Sequence, residues 1–383
     1  HLEKVCVPST TMSANDPMEK QVSYHAFSGD GKFAAVSKND EAVYIFNTKG
    51  SADASTWDET QVVTEHGGRV SGIDWNPKSN QIVTCGHDRN AYVWKLEGST
   101  WKPTLVILRI NRAATCVRWS PKGDKFAVGS GAKCVPVCHF EQGQNWWISK
   151  MIKKHKSSVL DLAWSPNQKF LVTGSSDFKC RIFSAFIEGI DKADDDGVTN
   201  MFGKNNGNVN VFGEILWEFD EAKSWVQGVA WSPNGLNVAF CGHGSMLTFA
   251  HLSSGSDPKT EVIYQKGLPS TIVNFMDDKT AVVIGFDNNP TVYENGGGSW
   301  KETRQLDPSG GEKKAGPAVG AASAARNVFQ DRDTRGKTGE TAGVKEEPAI
   351  KTIHQNLILD FKIRGPKKFS TSGVDGRIVQ WSL

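Results

Sequence analysis

The feature that most limits how this chain can fold is an aromatic residue that recurs at the end of short apolar runs. It falls at Phe27, Trp75, Trp119, Trp164, Trp231, Phe275 and Phe361. A turn rich in Pro, Gly, Asn, Asp or Lys follows each time. Three of these turns open Trp-Ser-Pro, at 119, 164 and 231, and one opens Trp-Asn-Pro, at 75. The unit after Trp75 continues with a strand-like run at 81–85, a turn Gly86-His87-Asp88-Arg89-Asn90, and a third run at 91–94 that ends on Trp94. Each run carries β-branched or aromatic residues and is bounded by turn formers, the pattern of short antiparallel strands. A lone sheet of this kind leaves two faces and two edges open. Radial packing buries the faces, and closing the circle ties the ends together. The chain is therefore expected to be all-β, a seven-bladed propeller.

Most intervals between the aromatics sit near the ~40–45 residues of a four-stranded WD-repeat blade. Two are longer by about one loop each. A second landmark is an Asp six residues before the end of the third run: Asp40 before Phe46, Asp88 before Trp94, Asp177 before Phe183, Asp287 before Tyr293 and Asp375 before Trp381. A short carboxylate accepts backbone N–H bonds in a tight turn. In blade 2 it predicts a buried polar network of His66, Thr84, Asp88 and Trp94, because the indole N–H needs an acceptor. Blade 4 keeps His155, Thr173 and Asp177 but has Phe183 for Trp, so its network is expected to be shorter. Blades 3 and 5 lack the Asp. The last blade ends after its third run, so 18–23 is expected to supply its outer strand, and deletion of 1–23 to lower stability sharply. Residues 1–17 read as an N-terminal extension to a propeller over 18–383.

The two long intervals hold insertions. The first, 187–213, carries Asp191, Asp194, Asp195 and Asp196 followed by Gly- and Asn-rich sequence. It reads as a solvated surface loop, because EF-hand spacing with its terminal Glu is missing. The second, 307–349, lies between blades 6 and 7 and is flanked by Gly, Pro, Lys and Glu. Its Ala-rich centre, 318–333, favours a short helix that places Ala321, Ala325, Val328 and Phe329 on one face. Such a segment fits either a docking peptide or a surface loop with incidental helix propensity, and composition does not separate the two.

Composition narrows the function classes. The net charge of +2 gives no global pull toward nucleic acid, and no apolar run is long enough to insert in a membrane. Residues 1–15 lack the apolar core of a signal peptide. The seven cysteines are odd in number and sit mostly in strand-like runs, which points to buried thiols and a cytoplasmic location. No P-loop, Gly-x-Ser-x-Gly or His-Glu-x-x-His sequence is present, so neither enzyme nor cofactor is expected. Cys134 and Cys138 with His139 lack a second ligand pair for zinc and read as core. Lys150, Lys153, Lys154 and Lys156 form a basic strip, read as a solvated loop or as a docking point for an acidic peptide. A non-catalytic interaction scaffold is favoured over a ubiquitin-ligase adaptor, which needs a ligase-binding element outside the ring, and over a propeller enzyme.

Residues 86–116 and the run Asp177-Phe-Lys-Cys-Arg-Ile-Phe-Ser-Ala closely resemble the WD-repeat subunit 1 family of the actin-related protein 2/3 complex. Ala325-Arg326-Asn327-Val328-Phe329-Gln330 resembles the protruding helix of that family's last long loop. The resemblance covers nearly all of the propeller. It implies a scaffold that holds other subunits of a branching complex, including the actin-related proteins. It also implies that Ala325, Arg326, Val328, Phe329 and Arg332 contact an actin filament or an actin-related protein, with Phe329 as anchor. Basic side chains, Lys102, Arg109 and Arg112 among them, would receive the acidic tail of nucleation-promoting factors. The extension at the N-terminus and the length of the 187–213 loop depart from the family pattern, and the loop leaves contacts on its face open.

Overall fold

The computed structural model describes residues 21–193, 198–202, 208–253, 256–307 and 352–383. Among them the strands form seven antiparallel sheets, each with its strands in sequence order. The innermost strands are Tyr24–Phe27, Val70–Trp75, Ala114–Trp119, Val159–Trp164, Val226–Trp231, Ser270–Asp277 and Ile358–Gly365. Each packs on the inner strands of the blades beside it, and the first packs on the last, so the ring is closed. All seven landmark aromatics lie on these inner strands.

The apolar interior is divided among the blade junctions. Seven separate clusters of buried residues lie between neighbouring sheets. Trp75, Trp94 and Trp101 of blade 2 meet Val43 and Ile45 of blade 1. Trp231 of blade 5 meets Phe170 and Val172 of blade 4. Each blade therefore buries its faces only because its neighbours are present, as the repeat predicts. Backbone bonds at the inner strands add to the apolar contact. Trp119 N–H donates to Asp74 Oδ2 (2.7 Å), Val229 N–H to Asp161 Oδ2 (3.1 Å) and His25 N–H to Asp360 Oδ2 (3.0 Å), each across a blade junction. The last of these lies at the seam between blades 7 and 1.

Two expectations meet a different arrangement. Blade 7 has three strands among the described residues, and 21–23 adopt no strand. Instead Val22 N–H donates to the Gly373 carbonyl and Ser23 N–H to that of Ser37, with Val22 buried against Ile378. These residues thus join blades 1 and 7 along their sides, and 18–20 lie outside the described residues. The first insertion is not a wholly solvated loop. Ile187 and Asp191 are buried, and Asp191 accepts from Lys125 Nζ (2.5 Å) and Gln168 Nε2 (3.0 Å). Lys125 is fully buried on blade 3, so the acidic residue supplies a counter-charge that burial of an ammonium requires. Farther along, Phe202 packs at a tilt against Phe170, 4.7 Å between ring centres. Residues Asp194, Asp195 and Asp196, like the 318–333 segment, lie outside the described residues.

Candidate protein-interaction site

In a four-stranded antiparallel sheet, the turns between second and third strands share one end with the links to the next blade. These loops make up one face of the ring. In the blades that carry it, the landmark Asp gives these turns their local order. In blade 2, Trp94 Nε1 donates to Thr84 Oγ1 (2.9 Å), Thr84 Oγ1 lies 2.8 Å from His66 Nε2, and His66 Nδ1 lies 3.1 Å from Asp88. The indole can only donate, so the Thr84 hydroxyl donates its hydrogen bond to Nε2 and the imidazole N–H on Nδ1 faces the carboxylate. Burial lowers the His66 pKa against the pull of Asp88.

Blade 4 is wired differently. His155 Nε2 lies 3.4 Å from Thr173 Oγ1, and Arg181 inserts between imidazole and carboxylate. Its Nη1 reaches Asp177 Oδ2 (2.8 Å) and His155 Nδ1 (3.3 Å), while Nε donates to Glu218 Oε2 (2.7 Å). Burial, then the guanidinium, lower His155 to about 4. For Asp177, burial acts upward but is outweighed by the Lys156 N–H and Arg181, and the net shift is down. Blade 7 repeats the blade 2 network in full: Trp381 Nε1 to Thr371 Oγ1 (2.7 Å), Thr371 to His354 Nε2 (2.8 Å) and His354 Nδ1 to Asp375 (3.0 Å). The sequence reading finds Asp375 and Trp381 but not His354 and Thr371. Their offsets from that Asp nearly match those of His66 and Thr84 from Asp88 and carry the missing signal.

The residue after the landmark position holds a left-handed backbone in blades 2 to 7: Arg89, Lys133, Phe178, Ser245, Asn288 and Gly376. Gly and Asn take this conformation readily, whereas other side chains pay roughly 1–2 kcal/mol. Three adjacent blades nevertheless present Arg89, Lys133 and Phe178 there, all exposed. Around them Arg112, Lys153, Lys154 and Lys156 are exposed too, which makes blades 2 to 4 a basic sector of this face. Trp225, His243 and Phe286 form an exposed aromatic group on blades 5 and 6, with ring centres 5.7 and 6.4 Å apart in turn.

The three cations expected to receive an acidic tail do not come together. Arg112 lies in the basic sector. Arg109, in the same link between blades, turns its guanidinium to the Ser149 carbonyl and to Ser149 Oγ (3.3 Å), tying that link to the outer strand of blade 3. Lys102 sits near the start of the outer strand Thr100–Val106, at the opposite end of the blade, paired with Glu97 (3.1 Å). Lys150, by contrast, lies over the Phe212 ring. Cys134 and Cys138 are buried thiols, and among the described residues no group of three His, Cys, Asp or Glu is placed to hold a metal ion. Trp147 packs on Trp119 and Phe126 while Trp146 is half exposed. Ala325, Arg326, Val328, Phe329 and Arg332 lie outside the described residues.

Comparison with known proteins places this geometry in a family. Residues 57–95 and 146–184 match the WD domain, G-beta repeat. Over nearly the whole ring the chain is similar to actin-related protein 2/3 complex subunit 1A of Arabidopsis thaliana, at 40% identity over 95% of this chain and 94% of the relative. It is similar to subunit 1A-B of Xenopus laevis at 38% identity, covering 97% and 96%. It is also similar to subunit 1 of Schizosaccharomyces pombe at 35%, covering 86% and 89%. An identity of this level sustained across all seven blades is shared descent of the entire propeller, and the chain belongs to the family of actin-related protein 2/3 complex subunit 1.

Proposed function

We propose that this chain is the propeller subunit of an actin-related protein 2/3 complex, a non-catalytic cytoplasmic scaffold in an assembly that nucleates branched actin filaments. The observation that carries the proposal is the family identity spanning the full ring, since a subunit that holds neighbours uses surface from many blades. A closed ring of mutually buried sheets suits that task, because its loops are held by seven apolar junctions. The strained basic apices Arg89 and Lys133, with Arg112, Lys153, Lys154 and Lys156, support the same face as the receiver of an acidic tail from nucleation-promoting factors. Charge on this scale speeds encounter and selects partners more than it adds affinity. Arg109 and Lys102 are less suited to this contact, since both already have partners within the chain. The segment 318–333 contacts the actin filament or an actin-related protein in this reading, with Ala325, Arg326, Val328, Phe329 and Arg332 on the contact and Phe329 as its anchor.

Branch counting with the assembled complex tests this reading. Phe329→Ala is expected to leave the complex intact and cut the number of branches several-fold, as loss of a buried aromatic anchor does at interfaces. Unchanged branching by an intact complex would reject the assigned contact. Charge reversal at Lys153, Lys154 and Lys156 is expected to slow activation by an acidic-tailed factor chiefly at low salt. Equal rates for variant and parent at low salt would reject the assigned face.

A further inference from the structure

On the opposite face of the ring, where first strands turn into second strands, the seam between blades 7 and 1 opens into a cavity of about 340 Å³. Trp75 and Pro77 of blade 2, Phe27 and Gly31 of blade 1, and Ile363 and Arg364 of blade 7 line it. The Arg364 guanidinium lies 3.4 Å from the centre of the Phe27 ring. Gly31 has φ +71, and a Cβ there would come within 3.0 Å of Arg364 Nη2, so the turn is shaped around the cation. The ring fixes one face of the guanidinium and leaves its edge donors free.

Those donors have no acceptor among the described residues. Two carboxylates line the same cavity, and both are engaged elsewhere. Asp30 accepts from the Ser28 hydroxyl (2.7 Å) and from Lys32 N–H (3.1 Å). Asp74 accepts from Trp119 N–H and from Lys362 Nζ (3.1 Å). Lys362 is thereby neutralised, which leaves Arg364 as the unopposed cation of the cavity. Burial alone lowers its pKa, with no anion to offset the loss of water. Ile363, beside it, is 55% exposed at the rim. A partly desolvated guanidinium with an aromatic face but no anionic partner, next to exposed apolar surface, is unfavourable in an isolated chain.

We infer that this seam cavity is a docking site for a partner protein, in which Arg364 receives one carboxylate of the partner and Ile363 receives the apolar residue beside it. A single planar guanidinium matches a single carboxylate through two parallel bonds. A phosphate carries more charge and calls for further cations, and the neighbouring Lys362 is already paired. The inference rests on the reading that the chain works inside a multi-subunit assembly. It goes beyond that reading by adding an anchoring point on the face away from the basic sector.

The test uses the purified native assembly and the full chain alone. Arg364 in each is exposed to an arginine-specific dicarbonyl, and modification is followed by peptide mass spectrometry. Modification about tenfold slower in the assembly than in the lone chain is expected, as a charge-assisted pair of that strength would give. In parallel, the Arg364→Lys variant is assembled and treated with a carbodiimide, which joins an amine to a carboxylate in contact with it. A crosslink from position 364 to an Asp, Glu or C-terminus of another subunit supports the inference. Equal modification in both samples, or a crosslink to a carboxylate of this same chain, overturns it. If the chain does not co-purify with other subunits at all, it is the assembly reading that fails, and the two failures are told apart.

Discussion

Blades 2 and 4 begin from the same three landmarks and reach opposite solutions. In blade 2 a tryptophan indole donates into the network, so the relay runs from Trp94 through Thr84 to His66 and ends on Asp88. In blade 4 that indole is replaced by Phe183. The residue opposite Thr173 across the ladder is Arg181, where blade 2 has Tyr92 opposite Thr84. The guanidinium then donates to both Asp177 and His155. Donor logic places the imidazole proton on Nδ1 in blade 2 and on Nε2 in blade 4. A blade that loses one donor is thus not merely a shorter copy of its neighbour. The buried carboxylate still has to be satisfied, and a charged partner takes over from a neutral relay.

The comparison can be broken most forcefully at the charge. Arg181→Met leaves Asp177, whose side chain is 4% exposed, without its cation, and a loss of about 3–5 kcal/mol is expected in denaturant unfolding. Tyr92→Met in blade 2 removes no such charge and should cost well under half of that. Acid is the next lever. The folded pKa of His155 near 4 lies below the unfolded value near 6.5, so the unfolded chain takes up a proton first as pH falls. Stability is complete above pH 6.5 and declines by up to about 3 kcal/mol toward pH 4. Melting curves across that window should show the decline, and it should shrink when Arg181, the second cause of the shift, is replaced by Gln.

Thr84→Val has a smaller effect. It strands the Trp94 indole and unpairs His66 Nε2, a cost of about 2 kcal/mol, and Thr371→Val in blade 7 should match it. Thr173→Val in blade 4, where both hydroxyl bonds are 3.4 Å long, should cost about 1 kcal/mol or less. Equal losses at all three positions would erase the distinction between the blades. The finest test carries no stability change: imidazole nitrogen chemical shifts should report opposite neutral tautomers for His66 and His155. The same tautomer at both sites would contradict the assigned relays.

The ring was legible because its signal is local. Each strand-ending aromatic and each following turn can be read within a few residues, and the repeat multiplies that signal sevenfold. The blade 2 network was legible for the same reason, since all four members lie within one unit. What escaped depends on distant partners or on register. Asp191 reads as part of a solvated acidic run, and only the position of Lys125 one blade earlier makes it a buried counter-ion. Arg181 enters its network through cross-strand pairing, which spacing along the chain does not show. Arg364 meets Phe27 only because the first and last blades adjoin at closure. The left-handed apices at Arg89, Lys133 and Phe178 have no mark in the sequence, because the residues there are not those the conformation favours.

The central claim is that this propeller is a part of a larger machine, and the most direct test is the native mass of the tagged chain purified from its own cells under mild conditions. The account predicts a single particle several times the 41.9 kDa of the chain, containing two actin-related proteins in one-to-one ratio with it. Elution of the chain alone, or in company that lacks actin-related proteins, would contradict it.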